Sequence, residues 1–276
     1  MFTACKSAYD FPENETVEVT FSINGQADSK ADSPLIPDIE NLIYDVWILQ
    51  YDKMGLLIDA GTSHQRITAS GSLMTTVTTD LAVGDGCTIC ILANLDRGNT
   101  TARTWPQTLT EFKTSVEIVA LQDKIEKANN GTLTEMPMFG YWEGNIDNEI
   151  DNIRVSLGRM LCRINLVINN TSAAAKTILK LDKVSVKGYA FPRIHHNPLP
   201  DDSYSTIEIN KSVAAGKSSE LYFYTAPNFA ASETNATKLV IDGKTVILSN
   251  DPPSQTTNRD YNLYHNSNYT FTININ

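Results

Sequence analysis

The chain has 276 residues, 41% of them hydrophobic and 20% charged, and 22 basic against 32 acidic residues leave a formal net charge of -10. Such an acidic surface is repelled by nucleic acid and by anionic bilayers, so neither is expected as a direct partner. No apolar run approaches the roughly 20 residues of a membrane-spanning helix, and the length exceeds a usual single domain, which makes two domains the starting expectation.

The first regular segment is Val17 to Ile23, where Val17, Val19, Phe21 and Ile23 alternate with Glu18, Thr20 and Ser22 before Gly25. Alternation with period 2 marks a half-buried strand. Small polar residues follow (GQADSKADSP), an exposed linker within reach of a protease. Ile39 to Tyr51 reads as one long strand, and Asp52-Lys53-Met54-Gly55 turns it into another, LLIDAG. Thr75 to Leu81 and Cys87 to Asn94 are strands around an AVGDG turn. One helix is expected, Leu109 to Lys127. Leu109, Phe112, Val116 and Val119 share a face, Thr108 and Glu111 form a capping box, and Asn129-Asn130-Gly131 stops it. A lone helix among strands is an appendage to a β domain, not a βαβ unit.

At Asn145 to Asn152 (NIDNEIDN) hydrophobicity collapses, and a new strand pattern starts at Ile153. The domain boundary is placed there: a tether over 1–16, an N-terminal β-sandwich over 17–148 and a C-terminal one over 149–276. Further strands are Ile178 to Tyr189, Ser205 to Ile209, Glu220 to Thr225 and Thr237 to Leu248. In the closing strand Tyr269, Phe271, Ile273 and Ile275 alternate with Thr270, Thr272 and Asn274 up to the final residue, so the last sheet is expected to be completed by the chain's own terminus. Many short strands with turns every ~8–12 residues are the signature of all-β sandwiches.

Chemical sites were sought among the same residues. Cys87 and Cys90 form a CxxC, but positions three apart on a strand point to opposite faces, so they cannot share a metal or an unstrained disulfide. Cys87, Cys90 and Cys162 are expected as buried free thiols. Asn145, Asp147, Glu149 and Asp151 offer oxygens at alternate positions, yet the turn glycine and distal Glu of a calcium loop are missing, and a solvated link is the better reading. His195 and His196 lie between prolines without further zinc ligands nearby. No GxSxG elbow and no Gly-rich phosphate loop occurs. Trp47, Trp105 and Trp142 are assigned to core or interface packing in preference to a sugar-binding face. Neither an enzyme, nor a cofactor, nor a metal is expected.

Several segments together resemble the fimbrillin family of the Bacteroidales, the subunits of type V pili. They are DVWILQYDKMGLL (Asp45 to Leu57), MPMFG (Met136 to Gly140), VSLGRMLCRINLVI with Arg159, and ELYFYTAPN with YHNSNYTFTI. The resemblance implies two tandem transthyretin-like β-sandwiches and a lipoprotein precursor exported to the fimbrium and outer membrane. Ala4 before Cys5 resembles the end of a bacterial lipoprotein signal peptide, which makes Cys5 the lipidated residue, Lys6 to Thr16 its tether, and the lipid the only membrane contact. It also implies assembly by strand exchange. Loss of the first strand, with Val17, Val19, Phe21 and Ile23, opens apolar pockets that a neighbouring pilus subunit's strand fills. The family is cut after arginine in the linker; here Lys30 is the basic residue available, and the first arginine, Arg66, is inside the fold. Family shaft subunits carry an additional C-terminal donor strand, so a chain closed by Tyr269 to Ile275 reads as a structural and adhesive tip subunit, with a host or bacterial surface receptor. The alternatives are a lipidated anchor subunit that keeps its first strand and a glycan-binding surface lipoprotein.

Overall fold

The computed structural model describes residues 15–25, 38–67, 70–95, 104–115, 121–132, 135–188, 190–191, 199, 203–251, 254–255 and 257–276. Cys5, Lys30, Val116, Val119, Tyr189, His195 and His196 lie outside the described residues.

Strands β1 (Thr16–Gly25), β2 (Asp45–Tyr51), β3 (Leu57–Arg66), β4 (Met74–Ala82), β5 (Gly84–Ala93), β6 (Met138–Ile146) and β7 (Asn152–Arg159) build one sheet in the order β3-β2-β5-β6-β7-β1-β4. This sheet curls until its edges touch: Gln65 Nε2 donates to the Thr78 carbonyl at 2.7 Å and Thr79 Oγ1 to Ser63 Oγ at 3.1 Å. The inward rows of its strands fill the enclosed core, among them Phe21, Ile48, Leu81, Ile89 and Val155. Strands β8 (Cys162–Asn170), β9 (Lys176–Ser185), β10 (Tyr204–Val213), β11 (Lys217–Thr225), β12 (Lys238–Ile241), β13 (Lys244–Ile247) and β14 (Asn268–Ile275) form two more sheets, β11-β8-β14 and β10-β9-β12-β13. These face each other over a second core that includes Ile164, Leu166, Leu181 and Leu239. The architecture is the expected all-β one, two tandem sandwiches with helical matter attached to the first.

Helices α1 (Leu109–Thr114) and α2 (Leu121–Asn129) cover the outer face of β2, β5 and β6. They occupy the stretch expected to be one helix. The capping box is present, with Glu111 N donating to Thr108 Oγ1 at 3.1 Å and Thr108 N to Glu111 Oε2 at 3.2 Å. The first helix ends early because Ser115 adopts an extended backbone (φ -80°, ψ 129°). A third cluster beneath the helices joins Phe112, Leu121 and Ile125 to Phe139, Met160, Leu161, Phe191 and Tyr224, and so welds the two halves.

Three sequence expectations are corrected. The boundary expected at 148/149 is displaced, because β7 stays in the first sheet, parallel to β1 and antiparallel to β6. The chain leaves that sheet only at Met160 and Leu161. The polar run that suggested an interdomain link is a tight β6–β7 turn, in which Asp147 accepts from Glu149 N through its carboxylate (3.0 Å) and from Ile150 N through its carbonyl (3.2 Å); polarity there signalled exposure, not a change of domain. Ile39 to Tyr51 is not one strand. Residues Asp38–Asn41 make a 3-10 turn, and the Asn94 amide replaces ladder partners, accepting from Tyr44 N (2.9 Å) and donating to the Leu42 carbonyl (2.8 Å). Finally, Thr237 to Leu248 is a hairpin: Asp242 and Gly243, at φ 47° and 77°, make the tight turn for which Asp-Gly is suited.

The CxxC pair straddles the first sheet as strand alternation requires. Cys87 faces the enclosed core and Cys90 the helix-covered face, while Cys162 joins the second sandwich. All three are free and buried. Burial pushes each thiol up and leaves little thiolate to react. An alkylating reagent is therefore expected to label them only after denaturation. Rapid modification of any of the three in the folded protein, followed by mass spectrometry, would contradict this placement.

Candidate functional site

The first strand is held on both sides. It pairs antiparallel with β4 from Thr16↔Ala82 to Asn24↔Met74, and parallel with β7 from Thr20↔Asn152 to Gly25↔Leu157. Val19 and Phe21 are 0% exposed and Ile23 is 1% exposed, so alternate side chains serve as core and the intervening ones face outward. The outward row adds cross-strand contacts: Thr20 Oγ1 with Thr78 Oγ1 at 3.2 Å, and Ser22 Oγ donating to Asn152 Oδ1 at 3.3 Å. Burial of such a side chain is worth about 1.5–3 kcal/mol. Val19, Phe21 and Ile23 are thus a large share of what holds β1.

Gly25 ends the strand where the chain must come close to itself. A Cβ built on it would sit 2.2 Å from the Asn41 carbonyl oxygen, so only glycine fits. The two ends of the segment between β1 and the 3-10 turn are therefore in contact. Just before Asn41 comes Glu40, which is buried although charged. Arg159, at the end of β7 and 4% exposed, donates from its guanidinium to Glu40 Oε2 at 2.5 Å. Glu40 Oε1 accepts a short hydrogen bond from the Tyr224 hydroxyl on β11, with Arg163 of β8 at 3.8 Å. Asn266 holds the other side of Arg159, accepting from both its backbone N and Nε at 3.2 Å. Burial, and then the bond to Glu40, pushes the Tyr224 pKa upward, which keeps the phenol a donor. Three stretches far apart in sequence meet at this carboxylate, one from each side of the junction and one from the segment that follows β1.

Of the residues singled out from sequence, Val17, Val19, Phe21 and Ile23 lie together in β1, and Arg159 lies at the junction. Trp47 stacks on His64 (4.5 Å, 15°) and meets Trp105 edge-on (5.3 Å, 65°). Trp105 is buried, so these rings do not make the coplanar exposed pair a sugar-binding face needs. Among the described residues no group of His, Cys, Asp and Glu is placed to hold a metal ion, and no helix is long and apolar enough to cross a membrane. Glu40 and Tyr224 were not anticipated. The usable signal was a glutamate inside the apolar run IENLIYDVW, which has no place on a buried strand without a partner.

No protein-family model and no curated sequence matches the chain. Its fold is shared with solved structures. The tip fimbrial protein Mfa3 from Porphyromonas gingivalis, in a C-terminally truncated form, superimposes with a TM-score of 0.58 at 15% identity, over 93% of this chain and 94% of that one. A fimbrial assembly protein from Parabacteroides distasonis gives 0.55 at 10% identity, over 94% and 91%. A candidate cell adhesion protein from Bacteroides eggerthii gives 0.57 at 14%, over 94% and 86%. At such identities the likeness is one of fold, the fimbrillin type of Bacteroidales fimbrial and adhesion proteins.

The junction yields a stability prediction. Glu40→Ala strands a buried guanidinium and should cost about 3–5 kcal/mol, read as a fall in the urea midpoint. Replacing both partners with methionine should restore most of the loss. A single substitution costing under about 1 kcal/mol would mean that the cluster is solvated.

Proposed function

We propose that the chain is a structural and adhesive subunit of a type V pilus, placed at the tip and assembled by strand exchange in place of β1. The observation that carries this reading is the position of β1. It is the first strand among the described residues, Val19, Phe21 and Ile23 of its core row are buried, and it lies between β7 and β4, so its departure would leave one slot with unpaired backbone on both walls. The fold shared with a tip fimbrial protein supports the role and location at the fimbrium. In this proposal the units are 17–159 and 162–276, the precursor is exported with a lipid on Cys5, and Lys30 is the processing residue between β1 and Glu40. The partners are other pilus subunits, with a surface receptor for the adhesive function.

Cutting the linker between Gln26 and Pro34 in the folded protein should leave β1 bound without a covalent link. A second strand with the same alternation should then displace it slowly. Val19→Asp with Phe21→Asp should abolish folding of the first unit and spare the second. Hydrogen exchange decides the matter: backbone amides of Val17 to Ile23 that exchange as fast as those of an unfolded peptide would rule out a held, replaceable strand.

A further inference from the structure

A second strand site lies at the other end of the chain. Strand β14 pairs parallel with β8 in continuous register from Asn268↔Arg163 to Ile275↔Asn170. This repeats the parallel β1–β7 pairing, with one difference. Beyond β1 lies β4; beyond β14 there is a groove of about 950 Å³ between β14 and β13. Its walls are Val246, Ile247 and Leu248 on one side and Tyr269, Phe271 and Ile273 on the other. The consequence shows in burial, since Tyr269, Phe271 and Ile273 face the second core yet stay only partly covered, whereas Val19 and Phe21 are wholly covered.

Among the described residues no strand pairs with this edge. Exposed sheet edges are normally blunted by charge, bulges or brevity. Among the described edges, β3 and β4 meet each other, β10 carries two register shifts with Glu208 and Lys211, β13 is four residues long and starts on Lys244, and β11 bears Lys217 and Glu220 and is clamped at Tyr224 by Asn129. Strand β14 (NYTFTINI) has no charge, no proline and no bulge. Its ladder with β8 runs from Arg163 N donating to the Ser267 carbonyl to Thr171 N donating to the Ile275 carbonyl. By the alternation of a parallel ladder, the N–H and C=O groups of Thr270, Thr272 and Asn274 point to the open side. Among the described residues, two buried polar atoms of the groove lack a hydrogen-bond partner, Arg259 Nε and Asn268 Oδ1. The carboxylate of Asp251, also in the wall, is already engaged by Asp260 N and Ser249 Oγ.

We propose that the β13–β14 groove docks an extended strand of another protein chain, laid antiparallel along β14, with apolar side chains at alternate positions and a carboxylate for Arg259. Open backbone groups on one strand select a strand as occupant, the half-covered apolar row selects alternation, and the unpartnered guanidinium nitrogen selects an acid. A second copy's β14 fits less well, because it brings no carboxylate. The inference stands whether or not β1 leaves its own slot.

The test uses the intact chain and, as probe, a synthetic peptide of Thr16–Gly25, which alternates apolar residues and carries Glu18. The first-sheet slot is filled, so docking at the groove is read site by site through hydrogen exchange at Thr270, Thr272 and Asn274. Slower exchange at these amides on adding peptide is expected. Thr272→Pro removes an N–H that makes no internal ladder bond and should weaken binding roughly tenfold, about the effect of one net hydrogen bond. Arg259→Gln should weaken the native peptide but not its Glu18→Gln form. Unchanged exchange at the three amides, equal binding by both variants, or a concentration-dependent dimer through β14 without peptide would each overturn the proposal.

Discussion

The insertion of β1 between β7 and β4 is the contact on which the first sheet depends. Without it, β4 would have no ladder partner and would touch the sheet through side chains alone, those of β3 and Gln50 of β2, and the rows Val77, Leu81 and Ile153, Val155, Leu157 would line an open slot. Unpaired N–H and C=O groups on both walls cost more than lost apolar contact, because neither wall has another partner. The register of any strand that fills the slot is fixed by the same row. A slip of one residue would turn Val19, Phe21 and Ile23 outward and bring Thr20 and Ser22 into the core.

The strand that receives β1 also fixes the chain beyond it. Strand β7 ends on Arg159, whose guanidinium holds Glu40 just past the segment that joins β1 to the rest of the sheet. Glu40 is in turn bonded from the second sandwich by Tyr224. Opening the chain between Gly25 and Asn41 would thus free β1 at one end while the other end stays pinned to both sandwiches. A buried ion pair is poor evidence for net stability, but it is demanding about geometry. Here that demand falls where residues of both halves meet the turn that precedes β2.

Much of this was legible in the residues, and the failures have a common cause. Alternation in Val17 to Ile23 and in Tyr269 to Ile275 located both parallel-paired strands, and the capping box at Thr108 and Glu111 marked a true helix start. The fold class followed. What alternation does not encode is which strand lies next to which, so nothing in Ile153, Val155 and Leu157 told that β7 would stay beside β1. Long-range polar contacts were equally hidden. Gln50 sits inside a strongly apolar strand and Asn94 just past the end of another, and their amides replace missing backbone partners, Gln50 by a double bond to Ala82 N and O at 2.9 and 2.7 Å. Glu40 could be flagged as misplaced, but its partners come from positions 119 and 184 residues away.

The two parallel-paired strands also differ in when their contacts can form. Ser22 and Asn152, bonded across the β1–β7 pair, are 130 positions apart, so the first-made strand finds its parallel partner only after most of the first sheet exists. Closing so long a loop is entropically costly and comes late. Its antiparallel partner β4 is nearer in sequence, Thr20 and Thr78 being 58 positions apart, so β1 can pair with β4 first and close on β7 last. Strand β14 has the reverse schedule, docking on a β8 already backed by β11, and it leaves the pairing edge of its sheet open. Strand β1 is thus paired on both sides, whereas β14 keeps an edge that nothing among the described residues covers.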